Sequence, residues 1–111
     1  MTELAEQAFR TVAPGHEVPD GGVIPFYLED GKHRIAVARV HDRLYAFDDL
    51  CTCSQASCPL SGGLLAGTTI MCQCHGSRFD ITTGAVINGP ATEALGVYQV
   101  REVEGSVQIR A

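Results

Sequence analysis

The sequence predicts an all-β fold of antiparallel strands, arranged as a sandwich or small barrel. Three observations carry this. Short runs of β-branched and aromatic residues recur between turn signals at roughly 8–12-residue spacing. No segment sustains a 3.6-residue period, apart from a short turn signal over residues 2–8. No crossover helix pattern separates the strand signals, which excludes a parallel sheet.

Taken in order, residues 9–13 form a first strand that stops at Pro14-Gly15. Residues 23–28 and 34–40 form the next pair, joined through Glu29-Asp30-Gly31-Lys32, whose Asp-Gly step suits a hairpin turn. Residues 44–47 follow a tight His41-Asp42-Arg43 connection. Further on, residues 69–72 and 78–81 read as short strands, Thr82-Thr83-Gly84 as a turn, and Gly89-Pro90 as the start of another loop. Residues 96–103 and 107–110 make a last hairpin across Glu104-Gly105-Ser106. Residues 48–67 have few strand signals, are rich in Ser, Gly and Cys, and exceed an ordinary hairpin loop. Loops of that length in compact domains are usually functional, so this stretch reads as a site-bearing insertion on a β scaffold.

At 111 residues the chain is expected to be one domain, residues 1–111, with the site-bearing part at about 48–92. A hydrophobic content of 45% and a charged content of 19% exclude a disordered tail, a coiled coil and a collagen-like repeat. The net charge of −5 disfavours nucleic acid and anionic membrane as partners and fits docking on a basic protein patch. No apolar run approaches the ~20 residues of a spanning helix. The first residues lack the basic start and apolar stretch of a secretory signal. The expectation is a cytoplasmic monomer. In a reducing compartment, cysteines argue for metal or redox chemistry rather than a disulfide scaffold.

All five cysteines lie between Cys51 and Cys74. One group is Cys51-Thr-Cys53 with Cys58 beyond it; the other is Cys72-Gln-Cys74-His75-Gly76-Ser77. Two short thiolate-bearing turns can close around one metal centre, and four nitrogen or sulfur ligands suit zinc or iron. The plainer alternative is buried structural cysteine, which packs as a small hydrophobe. The clustering beside a histidine counts against it.

These residues resemble the Rieske family of [2Fe–2S] proteins in its small soluble ferredoxin form. The matching stretches are Tyr45-Ala-Phe-Asp-Asp-Leu-Cys51-Thr, Pro59-Leu-Ser-Gly-Gly-Leu-Leu, and above all Cys72-Gln-Cys-His75-Gly-Ser-Arg-Phe-Asp80. Thr83-Gly84 and Gly89-Pro90-Ala91 match the family's turn and proline loop. The resemblance runs over residues 12–109 and implies a Rieske-like antiparallel β-sandwich with a cluster-binding loop subdomain.

The family binds its cluster through Cys-x-His and Cys-x-x-His, with the cysteines on one iron and the histidines on the other. The second motif is intact and implies Cys72 and His75 as ligands. In the first, Cys53 stands where the family has histidine. If Cys53 is instead aligned with the family's first cysteine, Gln55 falls on the histidine position and Cys51 supplies the missing bond. Both registers imply Cys51, Cys53, Cys72 and His75 and leave open which cysteine sits on which iron. In the second register Cys58 aligns with a cysteine that respiratory members disulfide-bond to the one preceding the second histidine, here Cys74. A disulfide, free thiols and an alternative ligand all stay open for this pair.

Three thiolates and one imidazole leave the oxidised site at −1, where two of each leave it neutral. Reduction is then harder, and the expected potential lies between ordinary Rieske and all-cysteine plant-type values. The resemblance gives the Ser77 hydroxyl to a cluster sulfur. It puts Phe79 where high-potential members have a tyrosine donor, which lowers the potential further. It also places His75 partly exposed at the cluster edge, with one ring nitrogen able to titrate, so one pH-dependent step is expected. His16, His33 and His41 read as solvated surface. Asp48 and Asp49 shape the cluster loop, dock a basic partner or form a solvated turn; Arg78 either steers a partner or is an exposed strand residue.

No nucleophile–base pair, phosphate loop or paired-carboxylate pocket is visible, so the chain is not expected to be an enzyme. The resemblance implies an electron carrier that takes single electrons from a flavin-dependent reductase and delivers them to a terminal oxygenase, such as an aromatic-ring dioxygenase. The alternatives are the small subunit of a nitrite reductase, a structural zinc protein using the same ligands, and a binding subunit that has lost its cluster.

Overall fold

The computed structural model describes residues 9–27, 34–50, 52, 59–74, 76–89 and 91–110. Ten strands are present among them, all paired antiparallel. They are β1 (Phe9–Pro14), β2 (Val23–Tyr27), β3 (Arg34–Val40), β4 (Arg43–Asp48), β5 (Leu64–Ala66), β6 (Thr69–Met71), β7 (Arg78–Asp80), β8 (Val86–Asn88), β9 (Val97–Val103) and β10 (Ser106–Arg110). Two 3-10 turns, Gly15–Glu17 and Leu60–Gly62, are the helical elements among the described residues. No helix there is long and apolar enough to cross a membrane.

The strands form a six-stranded sheet in the order β1-β10-β9-β4-β3-β2 and a four-stranded sheet in the order β5-β6-β7-β8. The all-β antiparallel prediction is borne out. Pro25 sits in β2, at a sheet edge, where its missing N–H costs no ladder bond. β3 lies between β4 and the edge strand β2, and its run Ile-Ala-Val-Ala-Arg-Val is buried throughout. Side chains alternate along a strand, so β3 serves two cores. Ile35 and Val37 pack with Val18, Ala46, Val107 and Ile109 inside the large sheet. Ala36, Ala38 and Val40 pack with Phe47, Leu60, Ile70, Cys72, Phe79 and Ile81 against the small sheet.

Arg39 lies on the first of these faces and is almost wholly buried. Its guanidinium donates to the carbonyls of Val18 (2.6 Å) and Gly15 (3.2 Å) and pairs with Glu102 at 3.1 Å. It thereby ties the Gly15–Glu17 turn to β9.

Some predicted boundaries shift. The stretch expected to be loop at 48–67 contains the Leu60–Gly62 turn and β5, and β8 was not expected as a strand. β5 and β8 each have three residues, too few for an alternation pattern to register. The predicted 69–72 and 78–81 strands end one residue earlier, and the last hairpin turns on two residues rather than three. Two of the three two-residue hairpins among the described residues take positive φ at both central positions, His41-Asp42 (50° and 68°) and Glu104-Gly105 (51° and 78°). The third, Gly67-Thr68, takes it at Gly67 (59°); such mirror-type turns match strand twist. The predicted hairpin turn at residues 29–32 lies outside the described residues.

Glu104 is exposed and occupies a left-handed position that asparagine fills at lower cost. Glu104→Asn should raise the unfolding free energy by about 0.5 kcal/mol in urea titration. An unchanged or lower midpoint would show that this turn sets no limit on stability.

Candidate metal centre

Three connections between the strands carry or adjoin the cysteine motifs in the sequence. The first runs from the end of β4 to the Leu60–Gly62 turn, the second joins β6 to β7, and the third joins β8 to β9. Of the four expected ligands, Cys72 is described, while Cys51, Cys53 and His75 lie outside the described residues. Among the described residues no three His, Cys, Asp or Glu side chains converge on one point.

Cys72 follows β6 and is completely buried, packed in the core with Ile70, Phe79 and Leu60. Its loop is closed by two backbone hydrogen bonds, Cys72 N–H to the Ser77 carbonyl (2.7 Å) and Gly76 N–H to the Cys72 carbonyl (3.0 Å). Gly76 makes the turn at φ 80°, in the left-handed region that side chains avoid. Cys74, two residues on, is disulfide-bonded. Cys58, the partner that the resemblance implies, lies outside the described residues.

Ser77 is fully buried, and its Oγ accepts the Ala91 N–H at 3.0 Å. A hydroxyl used as an acceptor keeps its own hydrogen to donate. Phe79 is fully buried in the core, as the packing reading required. Arg78 is half-buried on β7, with Nη2 3.7 Å from the Met71 sulfur.

The first loop is anchored by two carboxylates that face opposite ways. Asp48 accepts from the Tyr98 hydroxyl and from the Gly96 N–H (3.2 Å), while its own N–H donates to the Gly96 carbonyl (2.9 Å). Burial, and then the Asp48 carboxylate beside it, push the Tyr98 phenol well above its ordinary pKa. Asp49 is completely buried, bonded by the Arg34 guanidinium and by the Ser61 N–H (2.7 Å) and hydroxyl (3.1 Å). That hydrogen bond and the Asp49 charge hold Arg34 more firmly protonated. Of the expected roles for these two residues, shaping the loop is the one the contacts support. The sequence signal for it was only their place before Cys51, since the partners stand far along the chain.

The third loop laces the other two. Thr52 in the first donates its hydroxyl to the Glu93 carbonyl at 2.6 Å, and Ala91 bonds Ser77 in the second. Leu95 N–H reaches the Gly84 carbonyl at 2.8 Å. A Cβ on Gly84 would fall 2.2 Å from the Leu95 carbonyl oxygen, so only glycine allows this approach.

A buried thiol-bearing residue on a tight turn, beside a buried hydroxyl with a hydrogen to give, fits an iron–sulfur centre. The comparisons decide the family. The family model for the Rieske [2Fe-2S] domain matches residues 8–99. The chain belongs to the Rieske [2Fe–2S] family. Among its relatives, ferredoxin CarAc of Metapseudomonas resinovorans is 43% identical over 79 residues, covering 71% of this chain and 72% of that one. The ferredoxin component of a naphthalene 1,2-dioxygenase system from Pseudomonas aeruginosa is 38% identical over 90 residues, 81% of this chain and 82% of the relative. A chain from the complex of reduced oxygenase and oxidized ferredoxin in carbazole 1,9a-dioxygenase superposes with a TM-score of 0.81 at 33% identity, covering 94% of each. This Rieske protein is an electron carrier rather than an enzyme, and its cofactor is a [2Fe–2S] cluster.

Two outcomes test how the loops of this Rieske protein are held. Ser77→Ala leaves the buried Ala91 N–H without its acceptor and should cost about 1–2 kcal/mol in denaturant unfolding. No loss would mean that the third loop does not depend on that bond. The Asp80 carboxylate is held below its ordinary value of 3.8 by the Thr82 hydroxyl and then the Thr82 N–H. A lowered folded pKa gives stability that is present above 3.8 and lost as pH falls through the folded value. Thr82→Ala should therefore be less stable than wild type at neutral pH, with the gap closing under acid. A gap that persists at low pH would assign the effect to packing instead.

Proposed function

We propose that this chain is a low-potential Rieske ferredoxin that accepts single electrons from a flavin-dependent reductase and passes them to a terminal dioxygenase. Its ligands are Cys51, Cys53, Cys72 and His75, three thiolates and one imidazole. The observation that carries the electron-transfer reading is Cys72, buried at the mouth of a tight turn inside a matched Rieske motif. The oxygenase is favoured over a nitrite reductase because the relatives at 43% and 38% identity are a ferredoxin and a dioxygenase-system ferredoxin component. When bound, the cluster supplies a one-electron couple. The chain's own residues fix the loops, exclude water around Cys72 and give the Ser77 hydroxyl a place beside the thiolate.

On this reading the whole chain acts as one domain, with residues 48–92 as its cluster-binding part, in the cytoplasm. The acid excess of the surface matches basic patches on its protein partners. The extra thiolate charge opposes addition of an electron, so the midpoint falls between about −150 and −400 mV.

Electron paramagnetic resonance of anaerobically reduced protein, spin-counted against the chain, tests this. A near-stoichiometric [2Fe–2S] signal, with nitrogen coupling from a single imidazole and a midpoint in that interval, is the expected result. Coupling to two imidazoles would overturn the ligand set. A silent sample with bound zinc would overturn the electron-carrier reading altogether.

A further inference from the structure

The first cysteine loop enters and leaves its site through one buried carboxylate. Asp49 sits at the exit of β4, two residues before Cys51, and has no exposure to solvent. Its main chain continues the β3–β4 ladder, with its N–H on the Arg34 carbonyl at 3.1 Å and its carbonyl accepting from Leu60 N–H. Its side chain holds the returning limb of the loop through both the N–H and the hydroxyl of Ser61. The Leu50–Pro59 bridge lies directly above. The two ends of the cysteine loop are thus fastened to each other through Asp49. Arg34, whose side chain is 26% exposed against 0% for Asp49, is the countercharge that makes a buried carboxylate tolerable.

We propose that Asp49 is a positioning residue for the metal centre, setting the reach of the Cys51–Cys53 loop and placing a fixed negative charge beside the cluster. This rests on the ligand reading above, in which that loop supplies two thiolates. Asp49 precedes Cys51 by two residues, a backbone span of at most ~7 Å. A charge at such range in a poorly solvated setting acts strongly on an added electron. The carboxylate opposes reduction and Arg34 favours it, so the pair is balanced as built. Replacing Asp49 by asparagine keeps the shape but leaves the Arg34 charge uncompensated, and reduction becomes easier.

The Arg39–Glu102 pair provides the control, because it braces the Gly15–Glu17 turn against β9 and none of its hydrogen bonds reaches the three loops. Asp49→Asn, Ser61→Ala and Glu102→Gln are to be compared with wild type for melting temperature, midpoint potential, g-values of the reduced state and rate of iron release to a chelator. The expected result is a positive midpoint shift and altered g-values in Asp49→Asn. Iron release should be about tenfold faster or more, as for other residues that orient metal ligands. Ser61→Ala, which keeps the carboxylate and Arg34, should show faster iron release with a smaller potential shift. Glu102→Gln should lose thermal stability yet match wild type in the other three readouts. If Asp49→Asn does not fold, Ser61→Ala decides against the same control. Variants at Asp49 and Ser61 that lose stability but match Glu102→Gln in potential, g-values and iron release would overturn the proposal. A wild-type sample lacking the reduced-state signal would overturn the ligand reading beneath it as well.

Discussion

Strand β3 is buried on both faces, and the placement of the metal centre depends on it. A strand with one face in water could support only the large sheet. Because Ala36, Ala38 and Val40 present a second apolar face, the four short strands β5–β8 have a floor to pack on. Three-residue strands in isolation are too short to be stable, and their sheet survives through Ile70, Phe79, Leu65 and Val86 pressed onto that floor. The small size of Ala36 and Ala38 lets the two layers approach closely. Cys72 belongs to this same core, so the second cysteine loop starts from packed ground.

Side-chain-to-backbone bonds then join the three loops. Asp49 fastens the two ends of the first, Asp48 fastens its entry to β9, Thr52 reaches the third, and Ser77 joins the third to the second. Each bond alone is worth about 1 kcal/mol. Together they hold two cysteine-bearing loops from different parts of the chain to a third, an arrangement that an electron carrier must keep in both oxidation states.

Much of this was legible in the residues. The apolar run 35–38 of β3 and the alternation in β10 needed no tertiary information. The cysteine spacing was equally open, because ligand motifs are local. β5 and β8 were not legible, since three residues carry no period and their pairing is settled by partners elsewhere in the chain. The linking contacts were hidden for a related reason. Nothing local distinguishes Asp49, which is fully buried, from Asp42, which is exposed at a hairpin tip; Arg34, 15 residues away, and Ser61, 12 residues away, decide the difference.

The same division of labour explains the charge of the molecule. Arg34 is paired with the buried carboxylate of Asp49, and the buried guanidinium of Arg39 reaches outward to Glu102 and Asp42 at the surface. The net charge of −5 is spread over the remaining surface, where Glu17, Asp20, Glu93 and Glu104 are exposed. A paired buried carboxylate adds little to the long-range field, whereas exposed acids steer encounters with a basic surface over roughly a Debye length. Glu93 sits on the third loop, bonded through its carbonyl to Thr52, and so brings an exposed acid to the first cysteine loop. The Asp49 carboxylate ties the two ends of the first loop together while the exposed acids face solvent, so the sequence uses different acidic residues for the interior and for the surface.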